Sequence, residues 1–151
     1  MEKVRGFEVV TKYKNARLHL PQRATKQAAG YDIEAAERVV LHSGEIKLIS
    51  TGIKAYMQAG EVLYMYSRSS NPHKKGLVLI NSVGVIDGDY YNNPNNEGEM
   101  FMQMRNITDH DVIVEKGERV CQGVFMPFLI ADADDEADKS DRTGGFGSTG
   151  K

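Results

Sequence analysis

Alternation of apolar and polar positions dominates this chain, and helical periodicity is scarce. Met100-Phe101-Met102-Gln103-Met104-Arg105 places three methionines on one face of an extended segment, because successive side chains on a strand point to opposite sides. Such a stripe is read as core. Residues 61–67 alternate too, with Val62, Tyr64 and Tyr66 opposite Leu63 and Met65. Apolar runs at 77–80, 112–114 and 124–130 predict further strands. Ser43-Gly44, Ala59-Gly60, Asn93-Pro94 and Lys116-Gly117 supply turn signals between the runs. Many short strands parted by Gly, Asn and Pro turns predict an all-β sandwich or barrel. One short helix is expected, with Asn71 as N-cap, Pro72 at the first helical position and Gly76 ending it after about one turn.

Composition narrows the setting. The 151 residues suffice for one domain with a sizeable core, and 40% hydrophobic content is ordinary for a folded chain. A net charge of −2 gives no electrostatic footprint for nucleic acid, so no direct nucleic-acid partner is expected. The lone Cys121 excludes an intrachain disulfide and fits a reducing compartment; its expected role is a small buried core residue. Residues 1–6 lack an apolar signal region, and no run approaches the ~18 apolar residues of a membrane span. An intracellular, cytoplasmic protein away from membranes is therefore expected. His19, His42, His73 and His110 are scattered, so a protein-held zinc site is not expected.

Two segments follow the strand-rich part. Residues 131–141 carry Asp132, Asp134, Asp135, Glu136, Asp138 and Asp141 against Lys139 alone, which reads as a solvated linker. EF-hand spacing is missing, so these acids are not read as a calcium loop. Residues 142–151 then string Arg142, Phe146, Ser148 and Thr149 on a glycine backbone that includes Gly147. An arginine that forks onto phosphate, a ring that stacks on a base and two hydroxyl donors suit a flap over an anionic ligand; a disordered Gly/Ser tail is the alternative. The formal G-x-x-x-x-G-K at 145–151 lacks the preceding strand and the following Ser/Thr and helix of a P-loop, so a Walker-type site is not expected. The expected organisation is a β domain at 1–130, an acidic linker at 131–141 and a flexible glycine-rich flap at 142–151.

Four more unusual segments lie upstream: Ala29-Gly30-Tyr31-Asp32-Ile33, Ser67-Arg68-Ser69-Ser70, Gly84-Val85-Ile86-Asp87-Gly88-Asp89-Tyr90 and Gly117-Glu118-Arg119-Val120-Cys121-Gln122. With the tail they make five motifs which, in this order, resemble those of the trimeric dUTP diphosphatase (dUTPase) family. Asp87, on the end of an apolar strand, is by residue type either a turn aspartate before glycine or a general base. A carboxylate with an ordinary pKa near ~3.9 is ionised at neutral pH, and the resemblance favours the base.

The resemblance implies a jelly-roll-like β-barrel subunit with a flexible C-terminal arm, assembled as a homotrimer. It implies hydrolysis of dUTP to dUMP and pyrophosphate, which would limit uracil incorporation into DNA and supply dUMP for dTMP synthesis. Asp87 would activate water for attack on the α-phosphorus. Ser69 would donate near the α–β bridging oxygen, Arg68 and Ser70 would address the phosphates, and Gln122 would be a further phosphate or hairpin contact. Asp32 would contact the metal's waters or hold the site, unless it is a turn carboxylate bonded to backbone. Arg119 is expected to be an ion-pair partner within its motif. The hairpin at 81–90 would read uracil through its backbone, Val85 included, with the Asn81 amide as a further contact and Tyr90 against the deoxyribose. Arg142 would grip the γ-phosphate, Phe146 would cover the uracil, and Gly147, Ser148 and Thr149 would complete the flap. One Mg²⁺ would be held by phosphates and waters, with no direct protein ligand. The tail of one chain would close a site built by the other two; an eleven-residue linker spans about 35 Å if extended.

Several positions depart from the family pattern. Ile33 stands for leucine, Ser70 for glycine and Cys121 for alanine, and 91–96 is an apparent insertion, polar and turn-prone. The Arg-Ser-Ser form also resembles the related dCTP deaminases. Their proton-shuttling glutamate falls at Gln103 here, and an amide cannot act as general acid–base. A regulatory protein-binding role through the 91–96 insertion is a further alternative.

Overall fold

The computed structural model of the chain describes residues 2–147. Twelve strands run in order: β1 Gly6–Val9, β2 Gln22–Arg23, β3 Tyr31–Glu34, β4 Val39–Leu41, β5 Ile46–Ser50, β6 Ile53–Tyr56, β7 Glu61–Ser67, β8 Leu77–Leu79, β9 Gly84–Asp87, β10 Phe101–Asn106, β11 Val112–Val114 and β12 Arg119–Pro127. They form a five-stranded sheet β2-β3-β12-β7-β9, a three-stranded sheet β5-β10-β8, and the pairs β1-β6 and β11-β4. Every pairing is antiparallel. This is the expected all-β, jelly-roll-like architecture. Among the described residues no helix is long and apolar enough to cross a membrane.

The methionine stripe is core. Met100, Met102 and Met104 are fully buried, against Ile33, Leu41, Ile49, Leu63, Leu77, Val114 and Val120. Burying each such side chain contributes about 1.5–3 kcal/mol. On β7 Leu63 and Met65 are buried and Tyr66 is exposed, as the alternation assigned, but Val62, on the face of Tyr64 and Tyr66, is buried as well. Cys121 is fully buried with its Sγ 3.8 Å from the Met104 sulfur, and burial pushes its thiol pKa up to about 12. It is an inert core residue.

The predicted helix is a single π-helical turn, Asn71–Lys75, preceded by Ser70 as its N-cap and ended by Gly76 at φ 67°. The Asn71 side chain is drawn inward to the Val120 carbonyl, so the cap falls one residue earlier than the sequence suggests. The apolar run 124–130 also departs from expectation. β12 ends at Pro127, and Phe128, Leu129 and Ile130 are exposed. Proline offers no N–H to a ladder; beyond it the Phe128 N–H still donates to the Gly60 carbonyl at 3.0 Å before the exposed run continues.

Candidate active site

The hairpin that carries Asp87 is built on an edge. β9 pairs only with β7, as the last strand of its sheet. Alternate N–H and C=O groups along its outer side therefore have no strand partner. A cavity of about 200 Å³ opens between this hairpin and β10. Asn81, Val85, Asp87, Tyr90 and Gln103 line it, over a floor of Met65, Leu79 and Met100. Val85 and Asn81 are exposed, so their polar backbone and amide groups are accessible. Tyr90 is buried; its hydroxyl donates to the Glu99 carbonyl at 2.6 Å and accepts from Asn96 Nδ2 at 2.8 Å. Its ring is thus fixed as a wall, and burial raises its pKa.

The arm closes the same cavity from within the same chain. Arg142 donates from Nη2 to Asp87 Oδ2 at 2.6 Å and from Nε to Asp89 Oδ1 at 2.7 Å. Its Nη1 meets the Gly144 carbonyl at 2.9 Å. Phe146 sets its edge against Phe101, ring centroids 5.8 Å apart, at the cavity rim. It holds a left-handed φ of 53°, with Gly147 beside it at φ 95°, a backbone run that glycine neighbours make feasible. Arg142 therefore sits on two carboxylates of its own chain, where the sequence reading placed it on a phosphate and across a subunit boundary. Opposite charge explains the contact. Asp89 and Phe101 are contacts the sequence reading missed; Asp89 lies inside a quoted motif, but only the fold brings it to Arg142. Ser148 and Thr149 lie outside the described residues.

The remaining candidates gather elsewhere. Asp32 on β3 and Gln122 on β12 face each other directly across the ladder, and Gln122 in turn faces Tyr66 on β7. Asp32 Oδ1 accepts from Arg68 Nε at 3.1 Å, and its Oδ2 lies 3.6 Å from Arg119 Nη1. The carboxylate is thus an ion-pair hub rather than a backbone-bonded turn residue, and Arg119 pairs with Asp32 of the 29–33 motif rather than with a partner inside its own motif. Gln122 Nε2 donates to the Ser67 carbonyl at 3.3 Å. A Cβ at Gly30 would fall 2.2 Å from Gln122 Oε1, which explains the glycine in that motif. Ser69 is exposed and Ser70 half-buried at the start of the π turn. Arg68 and Ser70 line a second cavity with Lys74, Lys75 and Arg119, which shares no residue with the first.

Asp32 and Asp87 stand well apart within the chain. β3 and β9 are separated by β12 and β7, three strand spacings or about 14 Å. The Asp32–Gln122–Tyr66 row and the Val62–Asp87 pair are also four residues apart along β7, roughly a further 13 Å.

Among the described residues no three His, Cys, Asp or Glu side chains gather as a metal cage. Asp32 is already engaged by two arginines.

Similarity to known proteins agrees with this geometry. The dUTPase family model matches residues 16–150. The deoxyuridine 5'-triphosphate nucleotidohydrolase of Lactococcus lactis subsp. lactis (strain IL1403) is 76% identical over 148 residues, covering 98% of this chain and 99% of its own length. The crystal structure of dUTPase from Streptococcus mutans superposes with a TM-score of 0.82 at 66% identity, over 85% of this chain and 99% of that one. A variant of the Staphylococcus bacteriophage 80alpha dUTPase, solved with dUpNHpp, covers 99% of this chain and 100% of its own at 25% identity, TM-score 0.72. The chain belongs to the dUTPase family.

Proposed function

We propose that this chain hydrolyses dUTP to dUMP and pyrophosphate with Asp87 as the general base. The observation that carries the assignment is the Asp87 carboxylate at the rim of a cavity whose wall is an edge strand. Asp87 accepts a proton from water, the water oxygen bonds to the α-phosphorus, and the bond from that phosphorus to the α–β bridging oxygen breaks. The unpaired backbone groups of β9 and the Asn81 amide read the uracil edge. Polar readout rejects cytosine through mismatched donors by about 10⁴–10⁵, while the extra methyl of thymine must be excluded sterically. The Tyr90 ring lies against the deoxyribose, and Phe146 covers the base from the rim. Gln103 lines the same cavity, and its amide cannot shuttle the proton that deamination of dCTP requires.

Arg68, Ser69, Ser70 and Gln122 take the phosphates, with Ser69 stabilising charge that grows on the bridging oxygen. Asp32 holds Arg68 in place. Arg142 exchanges Asp87 for the γ-phosphate and so frees the base. A bound Mg²⁺, carried by the phosphates and its waters, supplies charge neutralisation at the triphosphate.

The assembly that unites the two groups is a homotrimer with shared sites. The separation across β12 and β7 supports it. So do Phe128, Leu129 and Ile130, of which Leu129 is 97% exposed in the single chain. The buried thiol of Cys121 suits a reducing, intracellular setting.

Pyrophosphate release with Mg²⁺ from dUTP, dCTP, dTTP and UTP in parallel tests the reading. Release from dUTP alone is expected, and Asp87→Asn should lower it by about 10²–10⁴-fold. Equal release from dCTP, or an Asp87→Asn variant as fast as the parent, would overturn it.

A further inference from the structure

The Tyr90 hydroxyl is held from two sides. It donates to the Glu99 carbonyl and accepts from Asn96 Nδ2 at 2.8 Å. A phenolic oxygen lies on the axis of its ring. The two bonds therefore leave spin about that axis free and fix where the far end of the ring stands.

The Asn96 amide can point only one way. Its Oδ1 accepts from Asn93 Nδ2 at 2.8 Å and from the Gly98 N–H at 3.0 Å, which leaves Nδ2 for the tyrosine. Asn93 is fixed in turn. Its second Nδ2 proton goes to the Tyr90 carbonyl at 2.7 Å, and its Oδ1 accepts from the Asn95 and Asn96 N–H groups at 3.0 and 3.1 Å. Two asparagines of the 91–96 insertion thus grip Tyr90 at both its backbone and its hydroxyl.

The loop that carries this network is anchored away from the cavity. Lys54, itself buried, donates to Asn92 Oδ1 at 2.5 Å and Glu97 Oε2 at 2.7 Å. Tyr91 bonds to Glu8. Asn92 and Glu97 take left-handed φ values of 57° and 66°, a conformation that persists where the surroundings over-determine it. A loop so held cannot follow Tyr90 if the ring is pushed, so the clamp resists displacement.

We propose that Asn96 is a specificity-determining positioning residue: by fixing the far end of the Tyr90 ring it keeps the cavity wall too close for a ribose 2′-OH. The proposal rests on the hydrolase reading above, in which Tyr90 lies against the deoxyribose. An apolar wall rejects an added hydroxyl by only about 10²-fold, so its stiffness decides how much of that discrimination is kept. Asn96 supplies the stiffness without touching the nucleotide, and the insertion thereby acts on the sugar end of the cavity.

A double-mutant cycle tests it. Asn96→Asp keeps the size of the side chain and both acceptor bonds but brings no N–H to the Tyr90 hydroxyl. Tyr90→Phe keeps the ring and removes the hydroxyl. The readout is the ratio of kcat/KM for dUTP to that for UTP, because general damage to the fold lowers both values together. Asn96→Asp should lower the ratio by about five-fold, the loss of one modest hydrogen bond, and Tyr90→Phe by at least as much. The double variant should be no worse than Tyr90→Phe alone, since Asn96 acts through that hydroxyl. An unchanged ratio in Asn96→Asp, or losses that multiply in the double variant, would overturn the proposal and leave the hydrolase reading intact. Should Asn96→Asp fail to fold, an unchanged ratio in Tyr90→Phe would overturn the proposal equally. A parent that hydrolysed UTP as fast as dUTP would remove its premise and overturn it. If the parent hydrolysed neither nucleotide, the hydrolase reading would fail, and the ratio of dissociation constants for UMP and dUMP would decide the proposal by the same outcomes.

Discussion

The hairpin cavity is finished by its own chain, whereas the face that carries Asp32, Arg68, Ser69, Ser70 and Gln122 is not. Around the cavity every wall is supplied locally: the β9 edge, the Tyr90 ring and the arm that packs back on it. The other face is prepared but open. Its central carboxylate is neutralised by Arg68 and Arg119, and Ser69 stands exposed. A base-reading pocket needs enclosure, which a hairpin and a flap provide. On the proposed reading, a phosphate-reading face needs fixed donors, which Arg68 and Arg119, ion-paired to Asp32, provide. Within the chain the two regions line separate cavities that share no residue.

Selective damage would sharpen the contrast. The largest effect is expected at Ser69→Ala, which should lower kcat for dUTP by about 10²–10³-fold and leave hydrogen exchange of the arm unchanged. Faster exchange in the arm of that variant would show that the two regions are coupled within one chain.

Next comes Glu97→Gln, on the cavity side. Lys54 and the Thr11 N–H hold the Glu97 carboxyl below the usual carboxylate range. A lowered acid stabilises the fold above its unfolded pKa and loses that contribution as pH falls through the lowered value. The variant should cost about 1–2 kcal/mol at neutral pH by leaving Lys54 half-satisfied. Denaturant titrations of parent and variant should converge in acid; a gap that persisted below pH 3 would contradict the assignment.

The smallest effect is expected at Glu99→Gln. Burial raises the Glu99 pKa, partly opposed by the Gly52 N–H that it accepts at 3.1 Å. A raised acid binds its proton more tightly in the folded chain, so stability falls as pH rises from the ordinary carboxylate value through the raised one. The amide keeps the acceptor and removes the buried charge. Glu99→Gln should raise stability at neutral pH and flatten the pH dependence; a loss of stability at pH 7 would contradict this.

The fold was largely legible because alternation reports burial directly. Met100, Met102 and Met104 lie on the buried face that their spacing assigned, and the 112–114 run is β11 residue for residue. The 124–130 run misleads past Pro127, because hydrophobicity alone cannot say that the ladder has ended and the next three residues face outward. Within the site, the motifs brought the right residue types to attention, but not their grouping. That Arg142 meets Asp89, or that Asn95 meets Gly144, depends on contacts about fifty residues apart in sequence. The insertion looked like a polar extension because its ties to Lys54 and Glu8 come from strands far upstream.

The central claim is that one catalytic site needs Asp87 from one copy and the Ser69 face from another. The most direct test mixes Asp87→Asn and Ser69→Ala chains, unfolds and refolds them together, and measures pyrophosphate release from dUTP. Shared sites predict recovery to about a quarter of parental activity, because one site in four of a random assembly pairs an intact Asp87 with an intact Ser69. Recovery no greater than that of the two variants refolded separately would place both residues in one chain's site and contradict the account.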